Sequence, residues 1–276
     1  MSCLQKKAQM RNSNLTNVYD ATNGFLEIRV HPQLSALSAD AAKVFAAAAI
    51  KSINECGRFC VCLSGGSTPI ETYAILASDK FRSQIPWQHV HVFWGDERCV
   101  PPDHPDSLYA MAWKLLLCRV PIPAENVHRM RGEAKNPQDA AAEYEGMLRN
   151  FFDLKVDEFP RFDLILLGMG ADGHIASLFP GTPGLYEMRR LVLANYVEAL
   201  RAMRLTMSLP VFNNAAQVMF LVVGESKAVA LRSVLSESPE GQQLPAGMIN
   251  LRRGNVLWLV DRSAAALWIR NRSRSC

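Results

Sequence analysis

The chain has 276 residues, 49% of them apolar and 20% charged, with a formal net charge of +4. That apolar fraction supports a sizeable buried core and excludes a disordered chain. No apolar run reaches the ~18 residues of a membrane span, and the small basic excess lacks the aromatic-interleaved patch of a nucleic-acid binder. Neither a membrane nor a nucleic acid is therefore expected as a partner.

Residues 1–22 are polar, have no apolar signal core, and read as a loose tail. Phe25 to Val30 alternates apolar and polar residues, as an edge-type strand does. Ser38 to Ile50 is alanine-rich and helical. Phe59 to Leu63 is a short apolar run that stops at Ser64-Gly-Gly66, as a buried strand would. Pro69 to Ala77 is a helix, with Thr68 as its N-cap and Pro69 at the first helical position. Val90 to Trp94 is a strand ending at Gly95-Asp-Glu-Arg98. Helices follow over Ser107 to Cys118 and Gln138 to Phe151, the latter introduced by Pro137. Phe162 to Leu167 is an apolar strand ending at Gly168. Further strands fall at Leu191 to Val197, Arg204 to Met207, Val218 to Val223 and Val256 to Val260. Helices cover Ser226 to Leu235 and Ser263 to Arg270.

Strands alternate with helices throughout, and several strands are apolar along their whole length, as strands covered on both faces are. The pattern predicts an α/β fold, an open, mostly parallel Rossmann-like sheet with helices on both faces. One domain is expected over residues 23–270, with residues 271–276 as a basic tail. The stretch Arg270-Asn-Arg-Ser-Arg-Ser275 has three arginines and no acid, and reads as solvated. The seven cysteines show no paired zinc spacing. Reduced thiols and a cytoplasmic location are expected. The C-terminal Ser-Arg-Ser-Cys276 is no peroxisomal address.

In such sheets ligands bind beyond the carboxyl ends of the strands. Three polar, glycine-bearing segments fall there. Ser64-Gly-Gly-Ser-Thr-Pro69 suits a phosphate at a helix N-terminus, through Gly65, Gly66 and Ser67. It lacks the Gly-Lys-Ser/Thr ending of a nucleotide-binding loop, and by itself it is equally an ordinary tight turn. Asp96-Glu97-Arg98 offers two acids for sugar hydroxyls and a guanidinium for an anion, or else a solvated turn. Gly168-Met-Gly-Ala-Asp-Gly-His174 places Asp172 two residues from His174. A carboxylate there orients an imidazole and raises its basicity, and the backbone of Gly168 and Gly170 suits an oxyanion. Arg204 and Lys227 are further candidate phosphate contacts. His104 reads as a loop histidine. His89 and His91 share one strand face but have no evident third metal ligand, so neither a metal nor a cofactor is expected.

These segments, in this order, resemble the 6-phosphogluconolactonase family from about Phe25 to Trp268. The resemblance is carried by Ser64-Gly-Gly-Ser-Thr-Pro69, Trp94-Gly-Asp-Glu-Arg-Cys-Val-Pro101, Leu167-Gly-Met-Gly-Ala-Asp-Gly-His-Ile-Ala-Ser-Leu-Phe-Pro-Gly181, Arg204-Leu-Thr206 and Gly224-Glu-Ser-Lys-Ala228. The same superfamily holds glucosamine-6-phosphate deaminase/isomerases. Those resemble Asp-Glu-Tyr at residues 96–98 and have a glutamate where this chain has Phe179. Arg98 and Phe179 thus favour the lactonase branch, although Leu108 and Ile175 depart from the usual lactonase pattern. The resemblance implies a carboxylic ester hydrolase of carbohydrate metabolism acting on a small phosphorylated sugar lactone. In it His174, Asp172 and Arg98 would be catalytic. Gly65, Gly66, Ser67, Asp96, Glu97, Gly168, Gly170, Arg204 and Lys227 would bind substrate. The alternatives are a deaminase/isomerase and a non-catalytic sugar-phosphate sensor. The sensor would need a DNA-binding segment, and none is evident.

Overall fold

The computed structural model describes residues 7–8, 15–21, 24–236 and 238–273. In chain order the strands are β1 (Lys7–Ala8), β2 (Leu15–Ala21), β3 (Gly24–His31), β4 (Phe59–Leu63), β5 (Val90–Trp94) and β6 (Asp96–Arg98). Then come β7 (Leu164–Leu167), β8 (Val192–Val197), β9 (Ala202–Met207), β10 (Gln217–Val222) and β11 (Gly254–Asp261). The helices are α1 (Leu34–Cys56), α2 (Pro69–Leu76), α3 (Asp79–Gln84), α4 (Leu108–Leu115), α5 (Pro137–Phe151), α6 (Leu209–Asn213), α7 (Ala228–Leu235), α8 (Pro239–Gln242) and α9 (Arg262–Ser273).

The larger sheet runs β1-β2-β3-β11-β10-β7-β4-β5, parallel from β3 to β5. Alternating residues of its central strands enter two separate cores, as a pleated strand requires. Val61, Leu63, Leu164, Leu166, Met219 and Leu221 face a core with Leu37, Phe45 and Tyr73 from α1 and α2. Cys60, Cys62, Ile165, Leu167, Phe220 and Val222 face the other, with Tyr144 of α5, Leu231 of α7 and Trp268 of α9. Helices therefore cover both faces, and the mostly parallel α/β fold is as expected. Burying each large side chain in these cores contributes on the order of 1.5–3 kcal/mol.

Several local readings differ from the sequence expectation. Leu15–Ala21, read as part of a loose tail, is a strand antiparallel to β3, so β3 is not at the edge. α1 is longer than its alanine-rich centre and ends where Gly57 takes φ 76° and donates its N–H to the Ile53 carbonyl at 2.8 Å. α9 continues to Ser273, into the expected basic tail. Residues 274–276 lie outside the described residues. A second sheet, β6-β9-β8, is antiparallel throughout and was not expected. Its β6 is three charged residues long and becomes a strand only by pairing with β9.

Among the described residues no helix is long and apolar enough to cross a membrane. His91 finds His128 rather than a metal partner, with ring nitrogens 3.3 Å apart. His128 stacks on Phe93 at 4.4 Å between centroids. Burial, and then the His91 charge, pushes the His128 imidazole down to about 4 from its ordinary 6.5, and burial lowers His91 as well. As pH falls from 6.5 towards 4 the unfolded chain takes up protons that the folded one refuses, so stability drops across that window. Melting temperature should fall over this interval in the wild type and fall less steeply in His91→Phe/His128→Phe. Equal slopes would remove the pair from the acid response.

Candidate active site

The parallel strands end together. Leu63 of β4 pairs with Trp94 of β5, and Leu167 of β7 with Phe220 of β10. From β4 the chain leaves towards β5, and from β7 it leaves the other way, towards β10. The switch point between β4 and β7 is where such sheets open a crevice. A cleft of about 440 Å3 lies there, lined by Gly65, Ser67, Arg98, Gly170, His174 and Lys227, with Gly66, Asp96 and Gly168 also in its wall. That volume suits a small molecule. A second hollow of about 470 Å3 over α1 and α3 has mainly apolar walls and none of these groups.

The Ser64–Pro69 loop is held from inside. The buried Tyr73 hydroxyl donates to the Ser64 carbonyl at 2.6 Å and accepts the Ser64 N–H at 3.1 Å. Gly66 takes φ 87°, which a residue with a Cβ adopts only under strain. Thr68, expected as N-cap, is itself helical at φ −66°, ψ −44°, and makes no side-chain cap. The start of α2 thus has no capping side chain, and the loop lines the cleft up to Pro69.

His174 is fixed by its neighbours. Its Nδ1 lies 2.6 Å from Asp172 Oδ1, and its backbone N–H donates to the same oxygen at 3.2 Å. These bonds and the imidazole charge outweigh burial and hold the Asp172 carboxyl below its usual range. A carboxylate at Nδ1 places the ring proton there and leaves Nε2 as the basic nitrogen. The Gly170 N–H donates to the His174 carbonyl at 2.8 Å, closing the loop. That N–H is occupied, so Gly170 is not the oxyanion donor the sequence suggested. Its contribution is space: a Cβ there would run into the His174 ring and Asp172 Oδ1. Beyond His174 the chain reverses tightly. The Leu178 N–H donates to the Ile175 carbonyl at 2.8 Å, and Ala176 takes φ 46°. The reversal brings Phe179 back onto His174, with ring centroids 4.0 Å apart and planes at 22°.

The acids of β6 divide. Asp96 accepts the Ser177 hydroxyl at 2.7 Å, and Asn195 donates to the Ser177 carbonyl at 2.8 Å. Burial pushes the Asp96 carboxyl up, opposed by Ser177, Arg98, His174 and Arg204. Glu97 turns away from the cleft. Only 2% exposed, it accepts the backbone N–H groups of Arg98, Leu108 and Tyr109 at 2.7–2.8 Å and the Ser107 hydroxyl at 3.1 Å. It anchors the start of α4 and has no face left for substrate, contrary to its expected binding role. Arg98 lines the cleft and donates to the Asp106 carbonyl at 2.7 Å. Among the described residues its buried Nε has no hydrogen-bond partner. Arg204 stands opposite Arg98 in the β6–β9 register but is outside the cleft wall. Burial and the Arg98 charge lower its pKa. Lys227 lines the cleft where Gly224, at φ 99°, leads into α7, and the Gly224 N–H is tied to Asp261 at 3.0 Å.

The sequence reading missed the Ser177–Asp96–Asn195 network and the Phe179 stack. Ser177 and Phe179 directly follow the histidine segment, so their place near His174 was signalled, but their partners depended on the reversal at Ala176. Among the described residues no group of three or more His, Cys, Asp or Glu is arranged to hold a metal ion.

A Rossmann-like sheet, a glycine-braced imidazole–carboxylate pair and basic groups at one strand-end cleft define a small-molecule enzyme that handles an anion. The model for glucosamine-6-phosphate isomerases/6-phosphogluconolactonase matches residues 32–258, and the chain belongs to that family. It is 44% identical over 214 residues to a Synechocystis protein named 6-phosphogluconolactonase, covering 78% of this chain and 86% of that one. A Nostoc protein of the same name is 41% identical over 239 residues, covering 87% and 97%. The solved 6-phosphogluconolactonase from Trypanosoma brucei superposes with a TM-score of 0.76 at 29% identity, over 87% of this chain and 97% of that chain.

Glu97→Ala should cost on the order of 3 kcal/mol in denaturant melts, because three backbone N–H groups lose a buried acceptor. Below its melting point its KM should match the wild type; a raised KM with unchanged stability would return Glu97 to the substrate. Gly170→Ala should keep the melting temperature within a few degrees while kcat/KM falls roughly 100-fold, as His174 is displaced.

Proposed function

We propose that this protein hydrolyses 6-phospho-D-glucono-1,5-lactone to 6-phospho-D-gluconate, a step of the oxidative pentose phosphate pathway, with His174 as the base that activates water. The observation that carries the mechanism is the 2.6 Å bond from His174 Nδ1 to Asp172, which leaves Nε2 basic on a side chain lining the cleft. A δ-lactone is an activated ester, so neither a covalent nucleophile nor a cofactor is invoked. Water attacks the lactone carbonyl as His174 takes its proton. The oxyanion collapses, the bond to the ring oxygen breaks, and the imidazolium returns the proton to that oxygen. General base catalysis of this kind contributes roughly 10²- to 10⁴-fold.

Arg98 is the donor we assign to the oxyanion, with the Gly168 backbone beside it. The phosphate is placed at the uncapped start of α2, against Gly65, Gly66 and Ser67, with Lys227 as its counter-charge. Arg204 adds positive potential from beside Arg98, and Asp96 is assigned to positioning Ser177 and a sugar hydroxyl. Holding the phosphate fixes the ring against the base. Phe179 in place of a glutamate agrees with water activation rather than ring-opening chemistry. The working unit is read as a single domain over residues 23–270, and the setting as the cytoplasm with a small phosphorylated lactone as ligand.

The test is a coupled assay that times lactone disappearance against its spontaneous background. His174→Ala should lose roughly 10²- to 10⁴-fold in kcat with KM little changed. Lys227→Ala should mainly raise KM for the phosphorylated lactone. Wild-type kcat/KM in His174→Ala would end the assignment of the base. An unphosphorylated lactone turned over equally well would end that of the phosphate.

A further inference from the structure

The imidazole of His174 has two constraints of different kinds. Asp172 holds it in the ring plane at Nδ1, but Asp172 is itself half exposed on a loop. Phe179 is only 9% exposed and lies against the imidazole face at 4.0 Å with planes at 22°. A single hydrogen bond leaves rotation about its own axis free, and a stacked planar neighbour removes it.

The local chain is built to deliver that neighbour. Ala176 takes φ 46°, a conformation that costs a residue with a Cβ on the order of 1–3 kcal/mol and persists where the surroundings hold it. The Leu178 N–H bond to the Ile175 carbonyl and the Thr182 bonds to the Phe179 carbonyl, from N–H at 3.2 Å and from hydroxyl at 2.8 Å, fix the reversal on both sides. The Ser177 hydroxyl ties the same turn to Asp96. The side chain at position 179 is therefore obliged to meet the imidazole. With Phe there, the covered face offers His174 neither an acid nor a hydrogen bond.

We infer that Phe179 is a positioning residue of the hydrolytic reaction, locking the plane of the His174 imidazole so that Nε2 is held on the line of the attacking water. This deepens the lactonase reading and rests on it. The requirement is for a flat ring rather than for apolar volume. Phe179→Leu keeps the volume and loses the plane; Phe179→Tyr keeps the plane.

The experiment combines steady-state kinetics on the phosphorylated lactone with proton NMR of His174, assigned by comparison with His174→Ala. In the wild type the His174 ring protons should show an upfield ring-current shift from the stacked face. Phe179→Leu should lose that shift and lower kcat roughly 10- to 100-fold with KM nearly unchanged. Phe179→Tyr should restore both. A Leu variant with wild-type kcat, or a wild type without the shift, overturns the inference. So does a rise in KM with kcat intact, since that would mark Phe179 as a substrate contact. Should the wild type not accelerate lactone loss at all, the lactonase reading fails with the positioning role that rests on it, while a shift lost in Leu and kept in Tyr would still report the stack.

Discussion

The His174–Asp172 pair stands where the backbone nearly touches it. The α-carbon of Gly170 lies so close to the His174 ring and to Asp172 that only hydrogen fits between them. Everything else in the site is arranged around that approach. The Gly170 N–H closes the loop on the His174 carbonyl. The reversal at Ala176 then covers the imidazole with Phe179, and Ser177 ties the reversal to the second sheet through Asp96. A site of this type depends on short backbone distances rather than on long flexible side chains. Its precision is set by how the strands end and not by the groups that fill the cleft.

The parts legible in the sequence were those whose cause is local. β4 and β7 are apolar along their length because both faces are buried, and the glycines after them marked the crevice. Pro137 marked the start of α5, which the structure caps with Asn136. What stayed hidden had tertiary causes. Glu97 was read as a ligand for a sugar hydroxyl or else part of a solvated turn, yet it is buried because the start of α4 comes to it from eleven residues downstream. β6 is too short to show a period and exists by pairing with β9. Thr68 has the right residue type for a cap, but the loop enters the helix one residue early. Arg204 was read as a phosphate ligand because of its charge, and only the β6–β9 pairing shows that it stands beside Arg98.

The histidines show how far environment decides chemistry. His128 sits among aromatic rings and is held neutral by burial. His31 is buried with Nε2 at 3.2 Å from Asp40. His104 accepts the Asp106 N–H at 3.1 Å within an exposed turn. Among the described residues, His174 is the histidine that combines a carboxylate on one nitrogen, an aromatic face and a place on the cleft wall. Residue type alone does not separate the four. The difference lies in which strand end each follows and what the next reversal brings back.

The Tyr73 hydroxyl grips both backbone groups of Ser64 from the protein interior. A loop braced in this way holds one shape before any ligand arrives. Its ordering entropy is spent during folding, so none is deducted from affinity at the moment of binding. The positive charges of Arg98, Arg204 and Lys227 favour the approach of an anion. For an enzyme whose substrate also hydrolyses unaided, speed of capture decides how much of the flux the protein controls.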